Sequence, residues 1–267
     1  MSAKIEFRTP SKNDLKGLFK ADMHVHTKYS FDSNTDVIKL LKKAKKLSIH
    51  LAITDHNRIG GVVEAMNSSY KELVIPGIEL TSKENKDIIA YFYEFKDLKN
   101  FFDKEIKPFI KKKNSLRLNK LPFSLIELVN MLKKEKCLLS MPHPFIRGPK
   151  GIIKFKNNEE LIKKIDLVEV INEKISYRSN LIALGWARLN EKSMVAGTDA
   201  HLLNRAGMAL TAAKAASKKD FLNKLKIGEV ILIGDNAGLK KNLVGLIKIT
   251  AEKAKIRKNK KIDKKSL

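Results

Sequence analysis

Five of the six histidines stand in four short clusters with acidic companions, and the clusters close short apolar runs. They read His24-Val25-His26, Asp55-His56, His143 and Asp199-Ala200-His201, with Glu79 between the second and the third. Packing rarely collects histidines in this way. Imidazole and carboxylate together are the ligands of a hard-to-borderline divalent metal ion.

The runs themselves define the fold class. Leu51-Ala52-Ile53-Thr54 ends at Asp55-His56, and Leu73-Val74-Ile75 leads through Pro76-Gly77 to Glu79. Ile88 to Phe92, Cys137 to Met141, Leu167 to Ile171 and Met194-Val195-Ala196 read as further buried strands. Between them, Asp36 to Leu47, Ser124 to Lys134, Tyr177 to Asn190 and Lys218 to Lys226 carry apolar residues at helical spacing. Ser124 with Glu127 forms a capping-box pattern. Strands alternating with helices predict an α/β fold on a parallel sheet. Polar groups at the C-terminal ends of strands are where a (β/α) barrel, or an open doubly wound sheet, places its chemistry. No glycine-rich phosphate loop follows the first strand, which weakens a nucleotide-binding Rossmann reading.

The chain has 267 residues, 43% of them hydrophobic, enough for one barrel-sized domain. The expected division is a barrel over 1–235, with an N-terminal extension to about residue 20, and a C-terminal helix and basic tail over 236–267. No apolar run reaches membrane-span length. Met1 to Lys20 has no secretory apolar core, and the lone Cys137 fits a reducing compartment. A cytoplasmic protein without a membrane partner is expected. The formal net charge is +25, but only eight of the 54 basic residues are Arg. A phosphate or base reader favours the bidentate guanidinium. Lysine spread over helix faces reads first as solvated surface, with a nucleic-acid footprint as the alternative.

His24 and His26 point to one face if they lie on a strand, and so do Asp199 and His201. A lone His-x-His is more often core or surface than ligand; four such clusters together reverse that reading. Glu79 can bridge two ions through its two oxygens. Asp32 lies in a polar stretch able to fold back over the site, and prolines flank His143. Arg147 and Arg205, each four residues beyond a histidine cluster, are candidate substrate-phosphate ligands, with surface charge as the bland reading. Asp22 and Asp55 are expected to orient imidazoles. His50, Cys137 and Trp186 read as packing residues.

Asp22-Met23-His24-Val25-His26-Thr27, Thr54-Asp55-His56-Asn57, Gly77-Ile78-Glu79, His143-Pro144 and Gly197-Thr198-Asp199-Ala200-His201 resemble, in order, the motifs of the PHP (polymerase and histidinol phosphatase) family. Glu169-Val170-Ile171-Asn172, ahead of Asn180, resembles a further family segment. The resemblance runs from about Ile5 to about Thr211. It implies a distorted (β/α)7 TIM-like barrel in a single domain, with two or three divalent ions (Mn, Fe or Zn) at one rim. Carried onto this chain, the first ion would take His24, His26, Glu79 and Asp199. The second would share Glu79 and take His143, and the third would take Asp32, His56 and His201. Family members usually supply another histidine to the second ion; Asp87 stands there instead.

Such ions lower the pKa of a bound water, whose hydroxide would attack phosphorus in line. Glu79, Asp199 and His201 are the candidate catalytic residues, with Asp199 or a neighbouring histidine carrying the proton to the leaving group. The expected function is hydrolysis of a small phosphomonoester, such as histidinol phosphate or a nucleotide. Two alternatives are a nuclease or nucleotide 3′-phosphatase acting on nucleic-acid ends, and a non-catalytic basic binding module.

Overall fold

The structure is a computed structural model and describes residues 3–11, 13–110, 120–148, 150–151 and 158–235. The expected C-terminal helix and basic tail over 236–267 lies outside these residues, as does the Lys111-Lys112-Lys113 run. Among the described residues ten strands form one sheet: β1 (Lys4–Glu6), β2 (Phe19–Val25), β3 (His50–Ile53), β4 (Val74–Thr81), β5 (Asp87–Phe92), β6 (Cys137–Met141), β7 (Leu167–Asn172), β8 (Ser193–Gly197), β9 (Ala209–Ala213) and β10 (Ile231–Gly234). Their order across the sheet is β1-β10-β9-β2-β3-β4-β5-β6-β7-β8.

The sheet curls until its β8 end meets β2. Just past β8, Ala200 N–H donates to His24 O at 3.3 Å, and His26 N–H donates to Ala200 O at 3.0 Å. Thr211 of β9 adds a side-chain stitch, its Oγ1 accepting from Ala196 N at 2.8 Å and donating to Ala196 O at 3.0 Å. Strands β2 to β8 are thus the seven staves of a distorted, half-closed barrel, as the family resemblance implies. β9, β10 and β1 extend the sheet beyond β2.

The sheet is mixed, whereas strand–helix alternation predicts a parallel one. β4 pairs antiparallel with β5, β5 with β6, β2 with β9, and β9 with β10. The reason at β4–β5 is loop length. Residues 82–86 close a tight turn, with Ser82 N–H on Lys86 O at 2.8 Å and Asn85 at φ 62°. A parallel connection needs a dozen residues or more.

Pro76 falls inside β4, although proline removes a ladder hydrogen bond. β4 changes partner there. Val74 to Pro76 pair with Leu51 to Ile53 of β3, and Gly77 to Thr81 pair with Tyr91 to Asp87 of β5. Glu79 therefore sits within the strand and not beyond its end.

Seven α-helices are described: α1 (Val37–Leu47), α2 (Gly60–Met66), α3 (Phe95–Phe101), α4 (Leu125–Leu132), α5 (Glu159–Lys164), α6 (Tyr177–Leu189) and α7 (Lys218–Lys226). The capping box predicted from sequence forms, and α1 is capped as well. Asp36 accepts from Lys39 N at the start of α1, and Ser124 and Glu127 form the reciprocal capping box of α4. α1 buries Val37, Leu40, Leu41 and Ala44, the spacing that predicted it, and ends at Ser48 in the left-handed region. His50 stacks on Phe19 at 3.8 Å, and Trp186 meets Phe145 edge-on, so both act in packing. Cys137 gives its thiol to Leu132 O, and burial pushes that thiol up to about 12. No helix among the described residues is long and apolar enough to cross a membrane.

Candidate metal centre

Every predicted ligand reaches one rim of the barrel. His24 is the last residue but one of β2 and His26 follows the strand. His56 lies three residues past β3, Glu79 is in β4, Asp87 opens β5, His143 follows β6, and Asp199 and His201 follow β8. Asp87 joins the rim only because β5 runs antiparallel, which brings its first residue to the end where its neighbours finish.

Four of these donors define the centre. His24 Nε2 and His26 Nε2 lie 3.1 Å apart. Each is 3.4 Å from Glu79 Oε2, and they are 3.8 and 3.2 Å from Asp199 Oδ1. Two ligands on one tetrahedral ion, with bonds of about 2.1 Å, sit about 3.4 Å apart. Glu79 Oε2 is buried with no hydrogen-bond partner, as are His26 Nδ1 and His143 Nδ1. Buried polar atoms normally find partners. The residues present therefore fit a divalent ion.

The other ligands continue from this core. His143 Nε2 lies 3.3 Å from Glu79 Oε1, and His56 Nδ1 lies 3.2 Å from Glu79 Oε2. His201 Nε2 is 2.8 Å from Asp32 Oδ2, which is 3.6 Å from His56 Nε2. Four groups of convergent donors result: His24, Glu79 and His143; His24, His26 and Asp199; His26, Asp32 and His201; His26, His56 and Glu79. Asp87 belongs to none of them.

Strand periodicity explains the first pair and not the last. Asp199 stands at φ 51° in the turn after β8, so its convergence with His201 is a property of that turn. His143, at φ 30°, is also in a backbone conformation that side chains rarely adopt.

The centre's own side chains polarise one another strongly. Burial pushes His24 down, but the carboxylates of Glu169, Asp199 and Glu79 outweigh it and hold the imidazole well above its ordinary value. Burial raises the Glu79 carboxyl, yet His56 and His24 bring it far below the usual range. Asp199 is likewise lowered against burial, by His24 and His26. Burial brings His56 down to about 4, so it stands neutral, the form a ligand requires.

A second layer fixes the ligands. Glu169 of β7 accepts from His24 Nδ1 at 3.0 Å and from His143 N at 2.7 Å. Asn172 donates to Glu169 at 2.9 Å and is itself held by Asn180 of α6. Helix α6 thus fixes the rotation of the His24 ring. Asp22 and Asp55 act differently from the expectation that they orient imidazoles. Asp22 accepts from Thr198 N and Oγ1 and from Gly207 N, and Asp55 accepts from Thr27 N and Oγ1. They tie down the backbone on either side of the ligands.

Gly197 ends β8 against this layer. A Cβ there would lie 2.6 Å from His24 Cβ and 2.9 Å from Glu169 Oε1. Gly197→Ala is expected to cost about 1–3 kcal/mol of stability by overpacking. It should also weaken metal binding, because relief requires moving His24 or Glu169. Thermal melts with and without metal check both effects.

The two arginines chosen by spacing do not reach the cluster. Arg205 is committed to an ion pair with Glu173. Arg147 is exposed and makes no hydrogen bond or ion pair among the described residues. The cations at the centre are lysines. Lys174 Nζ lies 3.3 Å from Asp199 Oδ2 and 3.4 Å from the His201 ring, and Lys150 Nζ lies 3.1 Å from Asp87 Oδ2. Position could have flagged Lys174, two residues beyond the buried run ending at Asn172; nothing in the sequence marks Lys150 except the glycines at 148 and 151.

The model of the PHP domain matches residues 22–267. The chain belongs to the PHP family. This family consists of metal-dependent phosphoesterases, so the protein is a hydrolase of phosphate-ester bonds. An uncharacterised protein of Methanocaldococcus jannaschii is 28% identical over 235 residues, 84% of this chain and 86% of its own length. A two-domain protein from Bacteroides vulgatus, described as containing a predicted PHP-like metal-dependent phosphoesterase, superposes with a TM-score of 0.60. It is 15% identical, and the match covers 88% of this chain and 70% of that one. A lesion-specific endonuclease from Pyrococcus furiosus superposes with a TM-score of 0.54 at 14% identity, over 80% of this chain and 57% of its own. At these identities the structural likeness concerns the PHP fold.

Proposed function

We propose that this chain hydrolyses a small phosphomonoester, of the histidinol-phosphate or nucleotide kind, at the centre built around Glu79. The observation that carries the reading is the convergence of His24, His26, Glu79 and Asp199 within 3.1–3.8 Å, with the ammonium groups of Lys174 and Lys150 beside it. His24, His26, Glu79 and Asp199 would hold one divalent ion, Asp32, His56 and His201 another, and His143, Glu79 and Asp87 are the remaining candidates. Bound there, Mn, Fe or Zn supplies Lewis-acid charge for phosphoryl oxygens and lowers the pKa of water.

The chain's own groups do the rest. Lys174 and Lys150 offer N–H donors to non-bridging phosphate oxygens. Arg147, three residues before Lys150 and exposed, is available to the substrate from the same loop. His201 is the most exposed of the clustered histidines, with 17% of its side chain open, and Asp32 holds its ring. We assign the proton transfer to the leaving oxygen to His201, with Asp199 as its neighbour in the same role.

A second reading is cleavage or 3′-dephosphorylation at nucleic-acid ends. The net charge of +25 and the likeness to the Pyrococcus endonuclease favour it. One experiment separates the two. Phosphate release is followed from an aryl phosphate, sugar and amino-alcohol phosphates, a mononucleotide and an oligonucleotide, each over a range of salt. Turnover of small esters with little salt dependence is the expected result. Turnover confined to the oligonucleotide, falling steeply as salt rises, would overturn the small-ester reading in favour of the second.

A further inference from the structure

Asp87 and Lys150 share one corner of the centre. Asp87 is 2% exposed, a degree of burial at which a carboxylate needs a partner. Its Oδ1 accepts from Thr81 Oγ1 at 2.7 Å, and its Oδ2 faces Lys150 Nζ at 3.1 Å. His143 Nε2 lies 3.9 Å from that same oxygen, farther than the lysine does. Lys150 Nζ is also 3.4 Å from His56 Nε2.

The loop that presents Lys150 is built around it. Gly148 takes φ 101°, a conformation open to glycine, and Gly151 has no room for a side chain against Ile146 O. Gly151 O accepts from Nζ of Lys86, itself only 6% exposed. One buried lysine thus fastens the turn that delivers the other.

Donor counting shows what this does to metal binding. An imidazole nitrogen has one lone pair, so His24 and His26 each serve one ion. Both are used by the ion that Asp199 shares. Asp32 Oδ2, with His201 Nε2 at 2.8 Å and His56 Nε2 at 3.6 Å, would serve a second. Only His143 and the other oxygen of Glu79 remain, and a further ion there would need Asp87 as its third protein ligand. Asp87 is already paired with an ammonium, and that ammonium would repel the incoming ion.

We propose that Lys150 is a resident cation of the centre, standing beside Asp87 and His56 where a third divalent ion would need to be, so that the complete centre holds two metal ions and one lysine. The proposal deepens the metal-centre reading and is independent of the substrate. It gives the protein a fixed donor to phosphate oxygens at that corner in place of an exchangeable ion.

The test is metal stoichiometry. The full chain is saturated with Mn(II) or Zn(II), freed of loose metal and measured by elemental analysis. Two ions per chain are expected in the wild type, three in Lys150→Met, where Asp87 is released, and two in Lys150→Arg, where the charge is kept. Three ions in the wild type, or an unchanged two in Lys150→Met, would overturn the proposal. If Lys150→Met does not fold, the wild-type count and a rise to three in Lys150→Gln decide it in the same way. A wild-type chain that takes up no metal would sink the metal-centre reading itself, an outcome distinct from a count of three.

Discussion

Glu79→Gln is expected to strip metal from the protein and to lower phosphate release by at least about 100-fold. Mutating groups that merely orient metal ligands already costs about 10–100-fold in affinity or activity, and Glu79 stands inside that layer. Its two oxygens face four imidazoles: His143 on one side, and His24, His26 and His56 on the other. Gln keeps the volume and one acceptor. It removes the charge that draws divalent ions, and it turns an NH2 group toward nitrogens that must coordinate. The carboxylate also holds imidazolium character in the metal-free centre, so the variant should shed protons from His24 as well as metal. Elemental analysis and phosphate release on the same sample check the prediction. A variant that keeps both its metal and its turnover would show that Glu79 is a bystander.

The candidate ligands were legible in the sequence because chemistry and topology coincide there. A barrel strand must be apolar on both faces, and its polar successor stands on the rim, so each buried run points at one ligand. The donors drawn from β2, β3, β6 and β8 could all be read this way. Glu79 was placed beside the histidines although it lies inside β4, since Pro76 and Gly77 mimic a strand end while marking a change of partner. What failed to show was direction: no composition signal says that β5 runs backward, yet that reversal alone brings Asp87 to the rim. The cations failed for another reason. Spacing favoured Arg147 and Arg205, but the segments after His143 and His201 are turns, where four residues do not return to the same face. Lys150 and Lys174 are single lysines in a chain whose net charge of +25 makes any one of them look like solvated surface.

Chelation is expected to lower the melting temperature by about 8–16 °C. A ligand that binds only the folded state stabilises it by about 4 kcal/mol at 1,000 times its Kd, and in a domain of this size each kcal/mol moves Tm by about 2–4 °C. The centre should show the full effect because its donors come from five strands, β2, β3, β4, β6 and β8, and the loops after them, and no unfolded segment reproduces them. The gap between loaded and metal-free protein should also widen with pH. The carboxylates of Glu169, Asp199 and Glu79, working against burial, raise the His24 pKa above its ordinary value in the metal-free fold. That ion pairing stabilises the metal-free fold fully below the unfolded histidine value and is lost as pH rises through the raised one. Metal must displace the same proton, so its binding strengthens over the same interval. The metal-free Tm should therefore fall through and above neutral pH while the loaded Tm holds. Melts recorded from pH 6 to 9, with chelator and with saturating Mn(II), measure both curves. Parallel curves, or no shift on chelation, would mean that the histidine cluster does not bind metal as part of the fold.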